Sequence, residues 1–271
     1  MISQRFPQLK GVIIDMDGVL WRNTDPIGDL PAIFRSIEAQ GLQWICATNN
    51  ATQSPEEFAE KLRGFGVETH PGCVVNSASA TVDYLKSNFS LDSKVYVVGS
   101  ESLWQMVSDA GFETVPTGDE EWLERAAEID MVVAGLDRRF SYNRMRDAAM
   151  AIRLGATFIA TNTDATYPTP QGLLPGAGAA VRAIEVASGK EPIVIGKPNP
   201  MVYQEALKRM GLEAAQVMGI GDRLDTDIRG AQAAGCLSGL VLTGVTSIQA
   251  AKAWQPPLDA YAPDLWSLVN D

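Results

Sequence analysis

The chain has 271 residues, of which 46% are hydrophobic and 20% are charged, so it can form one large domain or two smaller ones. Its net charge of −11 argues against a nucleic-acid or anionic-membrane partner, because such a surface needs a basic face. Three scattered cysteines without a CxxC pair indicate reduced thiols and a cytoplasmic protein. The single histidine, His70, lies in a turn-like stretch, and we expect a structural or exposed role for it.

Strands and helices are predicted to alternate along the whole chain. Hydrophobic runs bounded by turn residues predict strands at 11–14, 44–47, 94–98, 130–134, 157–160, 192–195, 216–220, 238–243 and 260–262. Helical spacing and end signals predict helices at 31–40, 55–63, 77–86, 101–109, 142–154, 179–187, 201–210, 228–234 and 264–269. A loop rich in Pro, Gly and Thr is predicted at 162–178. This alternation predicts an α/β fold with a parallel sheet covered by helices on both faces.

The most informative stretch is GVIIDMDGVLW at residues 11–21. Its apolar first four residues read as a strand that is buried on both faces. Two carboxylates, Asp15 and Asp17, follow the strand directly, and burying them is costly unless they are paired or bind a cation. The carboxyl end of a parallel strand is also where open α/β sheets bind ligands. We therefore expect a functional site here.

Three further predicted core strands end in polar side chains. The strand at 44–47 is followed by Thr48, Asn49 and Asn50. The strand at 192–195 is followed by Lys197, and the strand at 216–220 by Asp222, Asp225 and Asp227. Parallel strands place their carboxyl ends at one edge, so we expect these groups to converge with Asp15 and Asp17.

These motifs resemble those of the haloacid dehalogenase (HAD) superfamily of phosphatases over nearly the whole chain. The matching segments are DMDGVLW at 15–21, ATNN at 47–50, GKPNP at 196–200 and GDRLDTDI at 221–228. GLDRRFSY at 135–142 and ATNTD at 160–164 are similar to the NagD-like and p-nitrophenyl phosphatase subgroup, which includes phosphoglycolate and pyridoxal phosphate phosphatases. The resemblance implies a Rossmann-like parallel-sheet core, residues 1–82 and 189–271, with an inserted smaller α/β cap domain at 83–188.

The resemblance also implies a hydrolysis in two steps. Asp15 would attack phosphorus and form an aspartyl phosphate, which divides one difficult reaction into two easier ones. Asp17 would protonate the leaving oxygen and then activate water as general base. The predicted substrate is a small phosphorylated metabolite, with no nucleic-acid or membrane partner.

Magnesium is the implied cofactor, because a hard cation with oxygen ligands reduces the repulsion between Asp15 and the substrate phosphate. The expected ligands are the carboxylates of Asp15 and Asp222 and the backbone carbonyl of Asp17. Asp227 is expected to orient these ligands or Lys197, and Asp225 is read as a surface residue.

The substrate phosphate is expected to contact Lys197 and three residues of the second motif, Thr48, Asn49 and Asn50. By resemblance, the cap loop that contains Tyr167 is expected to reach over the site and to contact the substrate. Its prolines, Pro168 and Pro170, would stiffen it. A homodimer formed through the cap is also implied.

Other functions remain open from the sequence. A phosphoryl transferase or a phosphonate-type relative could use the same nucleophile. A nucleotide-binding module is less well supported, because MGIGD at 218–222 lacks the third glycine of GxGxxG and no Walker lysine motif is present. The intact Asp15, Asp17, Lys197 and Asp222 set argues against a phosphate-binding protein without activity.

Overall fold

A computed structural model describes residues 1–116, 125–169 and 172–271 of the chain. Its strands are β1 (Gly11–Ile14), β2 (Trp21–Arg22), β3 (Asp25–Pro26), β4 (Gln43–Thr48), β5 (Val74–Asn76), β6 (Lys94–Val98), β7 (Glu113–Val115), β8 (Met131–Ala134), β9 (Thr157–Ala160), β10 (Thr166–Thr169), β11 (Gly172–Pro175), β12 (Ile193–Val194), β13 (Val217–Gly221), β14 (Leu237–Val241) and β15 (Ala260–Ala262).

The α-helices within these ranges alternate with the strands, as the sequence predicted. They span Ile2–Arg5, Leu30–Ala39, Pro55–Gly64, Ser77–Asn88, Glu101–Asp109, Tyr142–Arg153, Ala177–Ser188, Met201–Met210, Arg229–Ala233, Ile248–Ala253 and Leu265–Asn270. Short 3₁₀ turns cover Pro71–Cys73, Ala126–Glu128 and Ala214–Gln216, and a π-helical turn covers Leu224–Ile228. No helix in the described ranges combines the length and the apolar character needed to cross a membrane.

The chain divides into two compact units. The first comprises residues 1–48, 55–75 and 197–271, and the second comprises residues 49–54 and 76–196. The first unit is built on a six-stranded sheet with the order β15-β14-β13-β1-β4-β5. Strand β1 lies inside this sheet, pairs in parallel with β13 and β4, and is buried along its whole length. Hydrophobic side chains therefore fix the strand that delivers Asp15 and Asp17.

The second unit has its own parallel sheet, with the order β12-β9-β8-β6-β7. Strand β8 is fully buried, as expected for a parallel sheet with both faces covered. The predicted α/β class with parallel sheets is confirmed.

One predicted core strand belongs to the other sheet. The strand predicted at 192–195 is the two-residue strand β12, and it pairs with β9 in the second unit. Residues 189–196 and the helix Ser77–Asn88 also lie in the second unit, whereas the sequence placed 189–196 and 77–82 in the core. The hydrophobic pattern cannot distinguish two parallel sheets, because strands of both are short apolar runs. Lys197 is therefore not delivered by a core strand.

The prediction of a loop at 162–178 was also partly wrong. It contains an antiparallel hairpin, β10 with β11, and the following helix begins at Ala177. Pro168 and Pro175 weakened the strand signal, but both lie in strands of a two-stranded sheet, where proline is tolerated because every strand is an edge. The segment that contains Tyr167 was predicted as part of a loop and is instead one strand of a hairpin. Pro170 lies outside the described residues.

Other elements confirm the sequence interpretation closely. The bounds of β6, β9, β15 and the helices Glu101–Asp109 and Met201–Met210 agree with those predicted. The sequence did not predict the helices Ile2–Arg5 and Ile248–Ala253 or the strands β2, β3, β5 and β7. His70 is exposed, and its Nδ1 accepts a hydrogen bond from the Gly72 N–H at 3.1 Å, which agrees with the structural role expected for it.

Candidate active site

The first two aspartates follow β1 directly but have different surroundings. Asp15 is buried, with 8% of its surface exposed, whereas Asp17 is exposed. Asp17 Oδ1 accepts a hydrogen bond from the indole Nε1 of Trp21 at 2.9 Å. Gly18 then reverses the chain with φ of +88°, a conformation that glycine adopts without steric cost. One carboxylate is thus held inside the unit and the other faces solvent.

Lys197 joins Asp15 to Asp227. Its Nζ donates to Asp15 Oδ1 at 2.5 Å, to Asp227 Oδ1 at 2.7 Å and to the Ala47 carbonyl at 3.1 Å. The lysine is almost completely buried. All three of its ammonium protons can therefore be satisfied by oxygen atoms. The structure brings Lys197 to Asp15 although β12 belongs to the other sheet.

The protonation of this cluster follows from burial and charge together. Burial alone would lower the pKa of Lys197, but attraction to Asp15 and Asp227 outweighs that effect and raises the pKa well above its ordinary value. Burial raises the pKa of Asp15 well above its usual range, the Asp227 charge adds to this, and Lys197 opposes it. The lysine is a permanent cation between these carboxylates.

Asp222 follows β13 and carries an unsatisfied oxygen. Its Oδ2 accepts a hydrogen bond from the Val245 N–H at 3.1 Å. Its Oδ1 is buried and has no hydrogen-bond partner among the residues that the structure describes. Burial, with a smaller contribution from the Asp227 charge, raises the pKa of Asp222 to about 6. A buried carboxylate oxygen without a donor is what a bound cation would satisfy.

Asp227 lies in the π-helical turn and is fully engaged by protein groups. Its Oδ1 contacts Lys197, and its Oδ2 accepts from the Arg223 N–H at 3.0 Å. Carboxylate oxygens of Asp15, Asp222 and Asp227 lie within 4.8 Å of one another, close enough to share a cation. Because both Asp227 oxygens already have donors, Asp15 and Asp222 fit the ligand role better. Asp225 is exposed, as its surface interpretation predicted.

Close backbone approach makes this geometry possible. A Cβ added to Gly221 would lie 2.2 Å from the Cβ of Asp227, so only glycine allows this close approach. A Cβ on Gly244 would lie 1.6 Å from Asp222 Oδ2. The sequence did not predict a role for Gly244 or its neighbour Val245. The sequence signal that could have indicated Gly244 is a glycine shortly after the core strand β14. The carboxyl ends of β14 and β13 lie at the same edge of the sheet.

The second-motif residues divide between the two units. Thr48 ends β4 in the first unit and is buried, whereas Asn49 and Asn50 belong to the second unit. The Asn49 amide donates to both carboxylate oxygens of Asp164 at 3.2 Å. Tyr167 is half-buried in β10, also in the second unit. The substrate contacts predicted for Asn49, Asn50 and Tyr167 stay predictions.

Comparisons with known proteins identify the family. A sequence model of the haloacid dehalogenase-like hydrolases matches residues 12–113, and a second, HAD-hydrolase-like model matches residues 194–268. An acid sugar phosphatase of Staphylococcus aureus (strain USA300) is 37% identical over 242 residues, which is 89% of this chain and 90% of that protein. The chain therefore belongs to the haloacid dehalogenase-like hydrolases.

Similarity to two solved structures indicates which hydrolases of this family the chain belongs with. A p-nitrophenyl phosphatase from Archaeoglobus fulgidus has a TM-score of 0.87 and 31% identity, covering 96% of this chain and 98% of that one. A glycerol phosphate phosphatase from Mycobacterium tuberculosis, in complex with magnesium, has a TM-score of 0.87 and 35% identity. It covers 100% of this chain and 78% of that one. Within its family, the chain belongs with the phosphatases.

Proposed function

We propose that this protein is a Mg²⁺-dependent phosphatase that hydrolyses small phosphomonoesters through an aspartyl phosphate on Asp15. One observation supports this most directly. A buried lysine holds the candidate nucleophile at 2.5 Å, while the neighbouring Asp222 keeps one buried oxygen without a donor. A site with more buried carboxylates than cations suits a metal and an anionic substrate together.

In the first step, an Asp15 carboxylate oxygen forms a bond to phosphorus as the ester P–O bond breaks. Asp17 gives its proton to the departing alkoxide, and its solvent exposure fits a group that meets leaving groups and water. In the second step, Asp17 removes a proton from the attacking water. Phosphate leaves, Asp15 is regenerated as a carboxylate, and Asp17 is protonated again.

Lys197 has two functions in this proposal. It fixes the orientation of the Asp15 carboxylate, and Asp227 and the Ala47 carbonyl fix Lys197 in turn. Its positive charge also offsets the charge on the transferring phosphoryl oxygens. Asp227 thereby acts through Lys197 rather than as a metal ligand.

The residues present fit a magnesium ion. The carboxylates of Asp15 and Asp222 and the carbonyl of Asp17 are the proposed ligands, and the donorless Asp222 Oδ1 supports this set. When bound, the ion neutralises the repulsion between the Asp15 carboxylate and the substrate phosphate. Gly18 and Gly244 keep Asp222 accessible, because a Cβ at either position would collide with its carboxylate.

The names of the relatives support a proposal for the substrate class. They are named acid sugar phosphatase, p-nitrophenyl phosphatase and glycerol phosphate phosphatase, and these names have in common a small phosphomonoester substrate. We propose the same class here, with Thr48, Asn49, Asn50 and Tyr167 as the contacts to test. A homodimer through the second unit and a cytoplasmic location complete the proposal.

The test is phosphate release from p-nitrophenyl phosphate and a panel of sugar and polyol phosphates, with Mg²⁺ and with EDTA. Wild type should require Mg²⁺, and Asp15→Asn should lose roughly 10³-fold or more in rate because the nucleophile is gone. Asp225→Asn is the matched control, since it neutralises an exposed carboxylate in the same segment as Asp227.

Near-wild-type turnover by a folded Asp15→Asn protein would refute the nucleophile assignment. Rates that are unaffected by EDTA would refute the metal requirement. Phosphoryl transfer to an added alcohol at the expense of phosphate release would favour the transferase alternative.

A further inference from the structure

Trp21 connects the candidate acid–base residue to the protein core. Its side chain is completely buried, yet its indole Nε1 donates to Oδ1 of the exposed Asp17 at 2.9 Å. The sequence alone indicated no role for this tryptophan beyond its place in the first motif. The hydrogen bond gives it a direct contact with the group that is proposed to move the proton.

The backbone holds the two residues in a closed turn. The Gly18 N–H donates to the Trp21 carbonyl at 2.8 Å, and the Trp21 N–H donates to the Met16 carbonyl at 3.3 Å. The Thr243 hydroxyl donates to the Gly18 carbonyl at 2.6 Å and ties this turn to the segment after β14. The position of the indole relative to Asp17 is therefore set by several independent bonds.

Two neighbouring side chains also hold the indole ring of Trp21 in place. Lys61 Nζ lies 3.9 Å from the centroid of the Trp21 ring, a cation–π contact. The Phe65 ring packs at a centroid distance of 5.9 Å. Lys61 is anchored in turn, because its Nζ also donates to the Asn23 carbonyl at 3.0 Å. The indole cannot rotate without breaking these contacts, so its N–H keeps one direction.

We propose that Trp21 is a positioning residue that fixes which oxygen of Asp17 carries the catalytic proton. An indole N–H can only donate, so the oxygen that faces it must be an acceptor. The carbonyl oxygen of a carboxylic acid is a stronger acceptor than its hydroxyl oxygen, so a protonated Asp17 carries its proton on Oδ2, and Oδ2 delivers it to the leaving oxygen. In the second step, Oδ2 recovers a proton from the attacking water while Oδ1 stays bonded to the indole. This inference rests on the proposed function.

A positioning role predicts an effect that depends on the leaving group. An alkoxide needs a proton as it departs, whereas p-nitrophenolate is stable as an anion and needs little help. Trp21→Phe should therefore lower kcat/KM for an alkyl phosphate such as glycerol phosphate by about 10-fold or more, as a part of the usual general-acid contribution. For p-nitrophenyl phosphate, Trp21→Phe should change kcat/KM by less than about 3-fold.

The readout should be kcat/KM, which reports the steps up to transfer of the phosphoryl group to the enzyme. The later hydrolysis of the aspartyl phosphate is common to both esters and would hide the difference in kcat. A general loss of structure would lower both kcat/KM values by the same factor. The ratio between the two esters therefore separates proton delivery from packing.

Trp44→Phe is the matched control. Trp44 is also a nearly buried tryptophan of the first unit, and its indole donates to Glu38 at 3.0 Å rather than to an aspartate of the site. It should leave the ratio of the two kcat/KM values unchanged. If Trp21→Phe does not fold, site-specific replacement of Trp21 by 3-benzothienylalanine keeps the ring shape and removes only the N–H donor. That variant should show the same selective loss.

The outcomes are distinct. A selective loss on the alkyl ester, absent from Trp44→Phe, supports the positioning role. Equal losses on both esters, or none on either, for a folded variant without the donor would overturn it while the phosphatase assignment stands. A wild type without metal-dependent release from either ester would overturn the proposed function and the Trp21 role together.

Discussion

Each unit of the molecule buries a cluster of oppositely charged side chains, and the two clusters differ in charge balance and in hydrogen bonding. In the second unit, Asp137 accepts from the Arg144 guanidinium at 2.6 Å and from the Arg139 N–H at 2.8 Å. Its side chain is 1% exposed, and both of its oxygens have donors. This pair is balanced in charge and in hydrogen bonds, as expected for a structural ion pair.

The first unit buries three carboxylates around one ammonium group. Asp15 and Asp227 share Lys197, but Asp222 keeps an oxygen without a donor and a pKa of about 6. The excess negative charge costs stability in the metal-free protein. Such an imbalance is expected where a cation binds, and it distinguishes the candidate site from the structural pair. Both clusters bury charged groups, so burial of charge alone does not distinguish the candidate site from the structural pair.

The largest effect on stability should come from removing either cation. Lys197→Met and Arg144→Met each leave buried carboxylates without their partner, which should cost about 3–5 kcal/mol in EDTA. Mg²⁺ should restore part of the stability of Lys197→Met, because a cation can bind the carboxylates that remain. It should not restore Arg144→Met. Urea unfolding of both variants, with and without Mg²⁺, measures this difference.

Equal recovery of the two variants in Mg²⁺ would remove the distinction between the clusters. No recovery of Lys197→Met, in a protein that still folds, would show that its carboxylates do not hold the ion without the lysine.

A smaller effect is expected from filling the space beside Asp222. Gly244→Ala places a methyl group 1.6 Å from Asp222 Oδ2, so the carboxylate must move. The Mg²⁺ concentration for half-maximal phosphate release should rise by about 10-fold or more, as for other changes that misorient a metal ligand. Gly64→Ala is the control, because no atom lies within 4 Å of its added Cβ and its φ is not positive. An unchanged half-saturation in Gly244→Ala would argue against Asp222 as a ligand.

Much of the site could be predicted because it follows from strand order. Asp15, Thr48 and Asp222 each lie at or directly after the end of a buried strand, and β1, β4 and β13 are neighbours in one parallel sheet. Buried apolar runs are readable from sequence, and parallel pairing brings their ends to one edge. The motif spacing then placed the carboxylates without any knowledge of the tertiary structure.

Lys197 reached the predicted position by a route that the sequence did not show. Its preceding strand, β12, pairs with β9 in the second unit, and the lysine enters the first unit only after that strand ends. Sheet membership depends on contacts between distant segments, and a two-residue apolar strand carries no signal for it. The direction of a buried side chain is equally hidden. Burial of Trp21 was readable, whereas its hydrogen bond to Asp17 was not.

The decisive measurement compares the stability of wild type and Asp222→Asn in EDTA and in Mg²⁺. The pKa of Asp222 in the folded protein, about 6, is above its ordinary value of 3.8, so the folded state binds this proton more tightly. Stability that Asp222 contributes at low pH is therefore lost as the pH rises from about 4 to about 6. Above that range, its buried charge costs up to about 3 kcal/mol, a cost that asparagine avoids.

We expect metal-free Asp222→Asn to be more stable than metal-free wild type at neutral pH, with the difference vanishing towards pH 4. Saturating Mg²⁺ should reverse the order, because it stabilises only a folded protein that binds it. Such a reversal would establish that the unbalanced carboxylates form a cation site. Equal metal-free stabilities at neutral pH, together with no gain from Mg²⁺ in wild type, would contradict the account.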